Sequence, residues 1–359
     1  MIERETRRYR LHEIEEEEDP DFAEAWSLLW QTFGPTGEME REEVIREFLR
    51  DDPYTPSKDG TFMRYFLLVA SDENYQIRGV RDGTILINQG YDDDLCVVYL
   101  SHIYMKPEAR GTVLSYWLRT APVEIAMGFM HELHQRELIK LPAPDSPGSW
   151  YGMRLNLTAE MEYFDPQDRL SWQRLLFYGR GGFDVIDPRH FPYRQPDFRH
   201  PDIIRKTGTN EPKPFALLVR RMGRERQAKM DIEEAKGIMN LLYDEYESHC
   251  APEFLENSLD LVLDRLDQRA EKRDSVDLLP LPTGAEDIKR LRRLSRYHVF
   301  KSCYPDDPVT RNWLRGGIRQ RIAEDPRYIE HAIAGIRREL LARPHHVYAA
   351  RDKGWEPED

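Results

Sequence analysis

Two stretches of this 359-residue chain combine residue types and spacing that chemistry could use. The first is Met105-Lys106-Pro107 followed by Glu108-Ala109-Arg110-Gly111-Thr112-Val113-Leu114-Ser115, where a β-rich run gives way through a proline to a helix. Free N–H groups at a helix start converge and its dipole favours negative charge, so such a turn suits a pyrophosphate. The second is Phe177-Tyr178-Gly179-Arg180-Gly181-Gly182-Phe183, where a tyrosine ends a helical stretch, glycines turn the chain and an aromatic residue opens a strand. His131 and His134, three apart beside Glu132, are metal-ligating types at helical spacing. Two ligands with no third partner in view do not make a site, and no metal is expected.

The elements that must hold these stretches follow from apolar periodicity. Phe22, Ala25, Trp26, Leu29 and Phe33 form a helical stripe, and Val44, Ile45 and Phe48 mark a second helix over 42–49. Strands are predicted at 64–71, 77–81 and 83–88, with Arg81-Asp82-Gly83 read as a turn between the last two. A long strand is predicted over 95–105, a helix over about 112–139 with a kink at Pro122, and a strand over 153–161. A helix over about 166–178 and strands at 183–186 and 214–222 complete an α/β region. Beyond residue 222 the β-rich runs give out and five amphipathic helical stretches follow, so the expected division is 1–222 and an all-helical 223–359.

Composition narrows the class. The 52 Lys and Arg stand against 65 Asp and Glu, a net charge of −13, which argues against a phosphate backbone as main partner and favours cationic ones. Residues 1–50 hold 15 of the acids against 7 Arg, so over half of the excess lies there. The charged amino terminus lacks the apolar core of a signal peptide, and no run of about 18 apolar residues occurs, so no membrane association is expected. Cys96, Cys250 and Cys303 form no CxxC pair, which leaves out a cysteine zinc site or disulfide framework and fits a reducing cytoplasm.

Together, Met105-Lys106-Pro107 with Arg110, and Tyr178 through Phe183, resemble the GCN5-related N-acetyltransferase superfamily, in which a strand ending in hydrophobic-x-Pro meets an Arg/Gln-x-x-Gly-x-Gly/Ala turn and a later helix ends in Tyr-x-x-x-Gly-Phe. The likeness spans residues 22–222, about three fifths of the chain. It departs at Val113 and Ser115, where the family turn has small residues, and Val113 approaches a phosphate less closely than glycine does.

The resemblance implies a mixed, mostly antiparallel sheet with flanking helices, and transfer of an acetyl group from acetyl-CoA to the primary amine of a small molecule or protein. It places the pantetheine arm against the backbone of Ile103, Tyr104 and Met105, and the pyrophosphate against Arg110 and the amides of Gly111, Thr112, Val113, Leu114 and Ser115. An ammonium cannot attack a thioester, so a base is needed, and Glu160, Glu162 and His102 are the candidates. Tyr178 would protonate the leaving thiolate. The helical remainder would serve as a lid, an oligomer face or a substrate domain.

Each residue also has an ordinary structural reading. Tyr178 can pack a helix end, Glu160 and Glu162 can line an exposed strand face, and His102 can be a satisfied strand histidine. A degenerate relative serving as a binding module, or an acyltransferase using a longer donor, fits the same motifs.

Overall fold

Alternating and β-branched runs pair in register through the first half of the chain. The computed structural model describes residues 3–6, 8–90, 95–110, 112–141, 153–305, 308–315 and 317–342. Its first elements are β1 (Glu3–Glu5), β2 (Tyr9–Ile14), α1 (Phe22–Phe33), α2 (Glu42–Arg50), β3 (Phe62–Asp72), β4 (Ile77–Asn88), β5 (Leu95–Tyr99), β6 (Ile103–Met105), α3 (Val113–Gln135) and β7 (Arg154–Met161). After them come α4 (Arg169–Arg180), β8 (Asp184–Ile186), β9 (Arg194–Gln195), α5 (Pro201–Thr207), β10 (Lys213–Pro214), β11 (Ala216–Arg221), β12 (Lys229–Asp231), α6 (Ile232–Glu247), α7 (Pro252–Ala270) and β13 (Ser275–Pro280), then, among the described residues, four further α-helices. Among the described residues, contacts gather those up to 158 with 197–210 and 236–256 into one unit, and 159–196, 211–235 and those from 257 onward into another.

In the first unit the strand order is β1-β2-β3-β4-β5-β7, with β6 also on β4. All of these pairs are antiparallel except β5 with β7, so the sheet is mixed and mostly antiparallel, as expected. One face carries Leu67 and Val69, which pack with Phe22, Ala25 and Leu29 of α1 and Ile45 of α2. The neighbouring β3 residue Arg64 points to the other face, where its guanidinium lies over Phe129 of α3.

Pro122 lies within α3 without ending it. Proline has no N–H to give the carbonyl four residues back. That carbonyl, of Leu118, instead accepts a bond from Arg81, whose side chain is buried beside it at 3.5 Å.

Two local expectations are corrected. The turn expected at Arg81-Asp82-Gly83 does not form; β4 runs unbroken through it, and the chain reverses at 73–76, where Asp72 accepts from the amides of Asn74 and Gln76. Gly83 is there for closeness and not for turning, since a Cβ would stand 2.1 Å from the Tyr99 carbonyl. The single strand expected over 95–105 is two. Thr84 opposes Tyr99 and Arg81 opposes Ile103, so two residues of β4 face three of the other strand, a bulge.

The first fourteen residues, read only as charged, contribute β2, whose Leu11 and Ile14 are buried against β3.

In the second unit β11, β8, β13 and β12 pair in that order, all antiparallel. The region after residue 222 is mostly helical but not wholly so, because β12 and β13 belong to this sheet. Charged Asp277 interrupts the short run Ser275–Pro280 and conceals it as a strand; it pairs with Arg269 at 3.2 Å. The helix α6 begins in the second unit and continues from Lys236 in the first, and residue 222 lies inside the second unit.

Gly83→Ala is expected to destabilise the protein by roughly 1–3 kcal/mol, because the added methyl overlaps backbone that cannot yield. Chemical denaturation reads this, and an unchanged midpoint would contradict the close approach.

Candidate functional site

The turn after β6 is built from backbone bonds. The Lys106 amide donates to the Arg78 carbonyl at 2.9 Å, and residues 107–109 make one tight helical turn. Exposed Arg110 donates through Nε to the Met105 carbonyl at 3.2 Å, and Ser115 Oγ donates to Met105 Sδ at 3.1 Å. Thr112 stands at the N-cap of α3, yet its hydroxyl donates backward to the Ala109 carbonyl at 2.7 Å, so no side chain caps the helix. Leu114 is fully buried and could offer a ligand only its amide. Gly111 lies outside the described residues.

Upstream, the pairing of β5 with β7 ends at Tyr99 opposite Thr158, followed by the Leu100 amide on the Thr158 carbonyl at 2.9 Å. Past that point Ile103, Tyr104 and Met105 pair with β4 alone, so among the described residues no strand occupies their second edge. An extended chain could add there as a strand does.

His102 is committed elsewhere. It is buried, its Nδ1 lies 3.0 Å from Asp82 Oδ1, and its Nε2 lies 2.7 Å from the Glu38 carbonyl. Burial opposes charge on the ring, but the Asp82 carboxylate, helped by Glu40 and the Glu38 carbonyl, outweighs it and raises the histidine to about 10. A ring held as a cation with both nitrogens engaged does not take a proton from an amine near neutrality. The structure gives His102 the role of a satisfied strand histidine that fixes the bulge.

The remaining catalytic candidates lie in the second unit. Glu160 accepts from the Tyr193 hydroxyl and from Gln195 Nε2, the latter at 2.6 Å, two neutral donors that hold it oriented. Glu162 is bridged by Arg174, which also reaches Asp168 at 3.0 Å. Tyr178 is half-buried, its ring edge-on to Phe177 and Phe183 with centroids 5.3 Å from each. The Phe183 amide donates to the Tyr178 carbonyl and the Gly182 amide to the Gly179 carbonyl, each at 3.1 Å, with Gly182 at φ 81. This pair of bonds is a Schellman stop, which needs the left-handed conformation glycine permits.

The metal-ligating types at 131–134 have protein partners: Glu132 accepts from Tyr54 at 2.8 Å and His131 contacts Gln135 at 2.9 Å. Two other groups bring three ligand atoms within 4.8 Å of one another, His12 with Asp19 and Asp21, and Asp187 with His190 and Asp277. In the second, Arg189 grips Asp187 and Arg269 bridges His190 and Asp277, so guanidinium groups already stand where a cation would.

Sequence reasoning missed a cavity in the first unit. It has a volume of about 340 Å³, and its lining includes Phe48, Asp51, Asp52, Met63, Tyr65 and Glu245. Tyr65 and Thr84 are opposed in register, and Thr84 in turn opposes Tyr99, the last residue of β5. Glu245 arrives from α6, about 160 residues further along. The available signal was an acid on an apolar stripe, at helical spacing from buried Ile238, Leu241 and Leu242.

No family model matches the chain, and no curated protein matches it. Solved structures do. An aminoglycoside acetyltransferase from an uncultured soil metagenomic sample, in complex with trehalose, is 14% identical, with 47% of this chain and 84% of that one covered and a TM-score of 0.25. A putative phosphinothricin N-acetyltransferase is 15% identical over 59% of this chain and 98% of that one, with a TM-score of 0.30. A putative acyl-CoA N-acyltransferase from Klebsiella pneumoniae is 11% identical over 59% and 97%, with a TM-score of 0.26. Likenesses this distant transfer no substrate, and the chemistry must be read from this chain's own residues. Among the described residues no helix is long and apolar enough to cross a membrane.

A pH profile tests the buried pair. An unfolded histidine loses its proton near 6.5, whereas folded His102 keeps it to about 10. Its contribution is therefore complete below pH 6.5 and declines as pH rises toward 10, by up to roughly 1 kcal/mol per pH unit. Denaturation midpoints should fall across that window, and His102→Gln should flatten the slope; an identical slope in the variant would refute the pairing.

Proposed function

We propose that the chain is an N-acetyltransferase that moves an acetyl group from acetyl-CoA to a primary amine. The observation that carries this reading is the run from Tyr99 to Ser115: strand pairing stops, one edge of β6 opens, and within eight residues of β6 a helix starts with no side-chain cap. An acyl pantetheine is an extended amide chain ending in a pyrophosphate, and this run offers a strand edge followed by an anion-favouring helix start. The residues present fit that group. Ile103 to Met105 would hold the arm, and the backbone at the start of α3, at Val113 and Leu114, with Arg110 as the nearby cation, would hold the phosphates; the Ser115 amide already donates to the Thr112 carbonyl at 3.1 Å. Val113 adds a branched side chain where the superfamily has glycine, so the phosphate stands farther from the backbone.

Acetyl-CoA supplies an activated thioester. The amine nitrogen forms a bond to the carbonyl carbon, the carbon–sulfur bond breaks, and the amine proton leaves to a base. Glu160, which accepts from the Tyr193 hydroxyl and Gln195 Nε2, is the carboxylate we assign to that base, acting directly or through water, with Glu162, bridged to Arg174, as the second candidate. Tyr178 returns a proton to the thiolate.

Calorimetric titration with acetyl-CoA is expected to show binding, with Tyr178→Phe leaving affinity unchanged while lowering kcat by about 100-fold. Absence of binding at protein concentrations well above micromolar would overturn the reading in favour of a non-catalytic module. A larger heat with longer acyl donors would move the donor assignment.

A further inference from the structure

The turn that carries Tyr178 is held on both sides by one segment from beyond residue 222, within the second unit. On the strand side, Leu279 of β13 opposes Val185 and Pro280 opposes Asp184, two residues past the glycine stop. On the helix side, the residues that follow Pro280 reach α4. A Cβ at Gly179 would stand 2.3 Å from the Pro282 carbonyl oxygen and 3.0 Å from Leu281 Cβ. Glycine is a poor helix former, and here its lack of a side chain lets the loop touch the last turn of α4. Arg180 then donates through Nε to the Thr283 carbonyl at 2.5 Å. Leu281 to Thr283 therefore meet Gly179 and Arg180, the two residues that directly follow Tyr178.

The loop that makes these contacts is itself fixed. Pro280 and Pro282 each carry a locked φ. The Asp287 carboxylate accepts from the amides of Thr283 at 3.0 Å and Gly284 at 2.9 Å, and from the Thr283 hydroxyl at 3.1 Å. Arg290 joins that carboxylate to the Leu281 carbonyl, each at 3.1 Å. Arg337, on the helix Tyr328–Ala342, donates to the Ala285 carbonyl at 3.2 Å.

We propose that residues 280–287 form a brace that positions the Tyr178 side chain, with Gly179, Arg180 and Asp287 as positioning residues. The inference rests on the proposed acetyl transfer for the proton that Tyr178 returns, and on these contacts for the brace. A proton passes only across hydrogen-bond reach, and a displacement of about 1 Å at a reacting group can lower a rate by about 100-fold. The rings of Phe177 and Phe183, edge-on to Tyr178, limit its tilt. Where the last turn of α4 stands is set separately, by a loop that grips the turn from its helix end and its strand end at once. The region after residue 222 thereby has a task inside its own unit, distinct from that of a lid, an oligomer face or a substrate domain.

The test uses the full chain with 3-fluorotyrosine in place of Tyr178, read by fluorine NMR. It is joined to thiol release from acetyl-CoA with water as the acceptor, a reaction that needs the same proton return. Arg180→Gln removes the bond to the Thr283 carbonyl, and Asp287→Ala, distant from Tyr178 in the chain, unties the loop. Each should move or broaden the fluorine resonance and lower kcat by about tenfold, with KM for acetyl-CoA unchanged. In a Tyr178→Phe background neither should lower kcat further, because a positioning residue acts only through the group it positions. A resonance that both substitutions leave in place, or equal losses with and without Tyr178, would overturn the brace. The two ideas fail separately. Tyr178→Phe with unchanged thiol release removes the proposed proton return while the resonance still reads the brace, and a Tyr178-dependent rate with an unmoved resonance removes the brace alone.

Discussion

The bulge opposite β4 is the constraint on which the first unit depends. Leu100, Ser101 and His102 oppose only Asp82 and Gly83, so the strand that begins as β5 cannot stay in step and resumes as β6. Three features hold it open. Gly83 lets the Tyr99 carbonyl approach the β4 backbone, the Asp82 amide donates to the His102 carbonyl at 3.2 Å, and the Asp82 side chain accepts from the His102 amide at 2.8 Å. The imidazolium then closes onto the same carboxylate. Breaking one partner of a buried charged pair costs far more than the pair contributes against an apolar replacement, so the arrangement fixes geometry more than it adds stability.

From that break the rest follows. β7 pairs with β5 and has no register with β6, which leaves a backbone edge open just before the turn into α3. α3 is anchored under the sheet by a second buried cation, Arg81, which answers the carbonyl freed by Pro122. One residue of β4 therefore serves the helix on one face, and its neighbour Asp82 serves the bulge on the other, as period-two alternation requires. Glu245, Asp51 and Asp52 are among the residues that line the cavity on the second face.

Much of this was legible in the sequence, for identifiable reasons. The short helical turn at 107–109, the start of α3 at Val113 and the glycine stop at 179–182 depend on neighbours in the chain, and each forms where residue type predicts. Arg81-Asp82-Gly83 misled because a turn signal is local, whereas the need for Gly83 comes from a carbonyl sixteen residues away. The break after Tyr99 left no mark in LCVVYLSHIYM, since a bulge is a mismatch between two strands and neither one alone encodes it. Glu245 could not be assigned because α6 serves both units, and its return to the first unit is a property of the tertiary fold. Among the candidate bases, spacing could not set His102 apart, because its engagement with Asp82 and the Glu38 carbonyl comes from segments distant in the chain.

Hydrogen exchange by mass spectrometry, with and without acetyl-CoA, reads the very backbone amides assigned to the donor. Added protection is expected to be confined to Ile103–Met105 and to the start of α3 at Val113 and Leu114, an open strand edge and an uncapped helix start both acquiring partners. Saturating acetyl-CoA with unchanged exchange in both segments, or with protection only elsewhere, would contradict it.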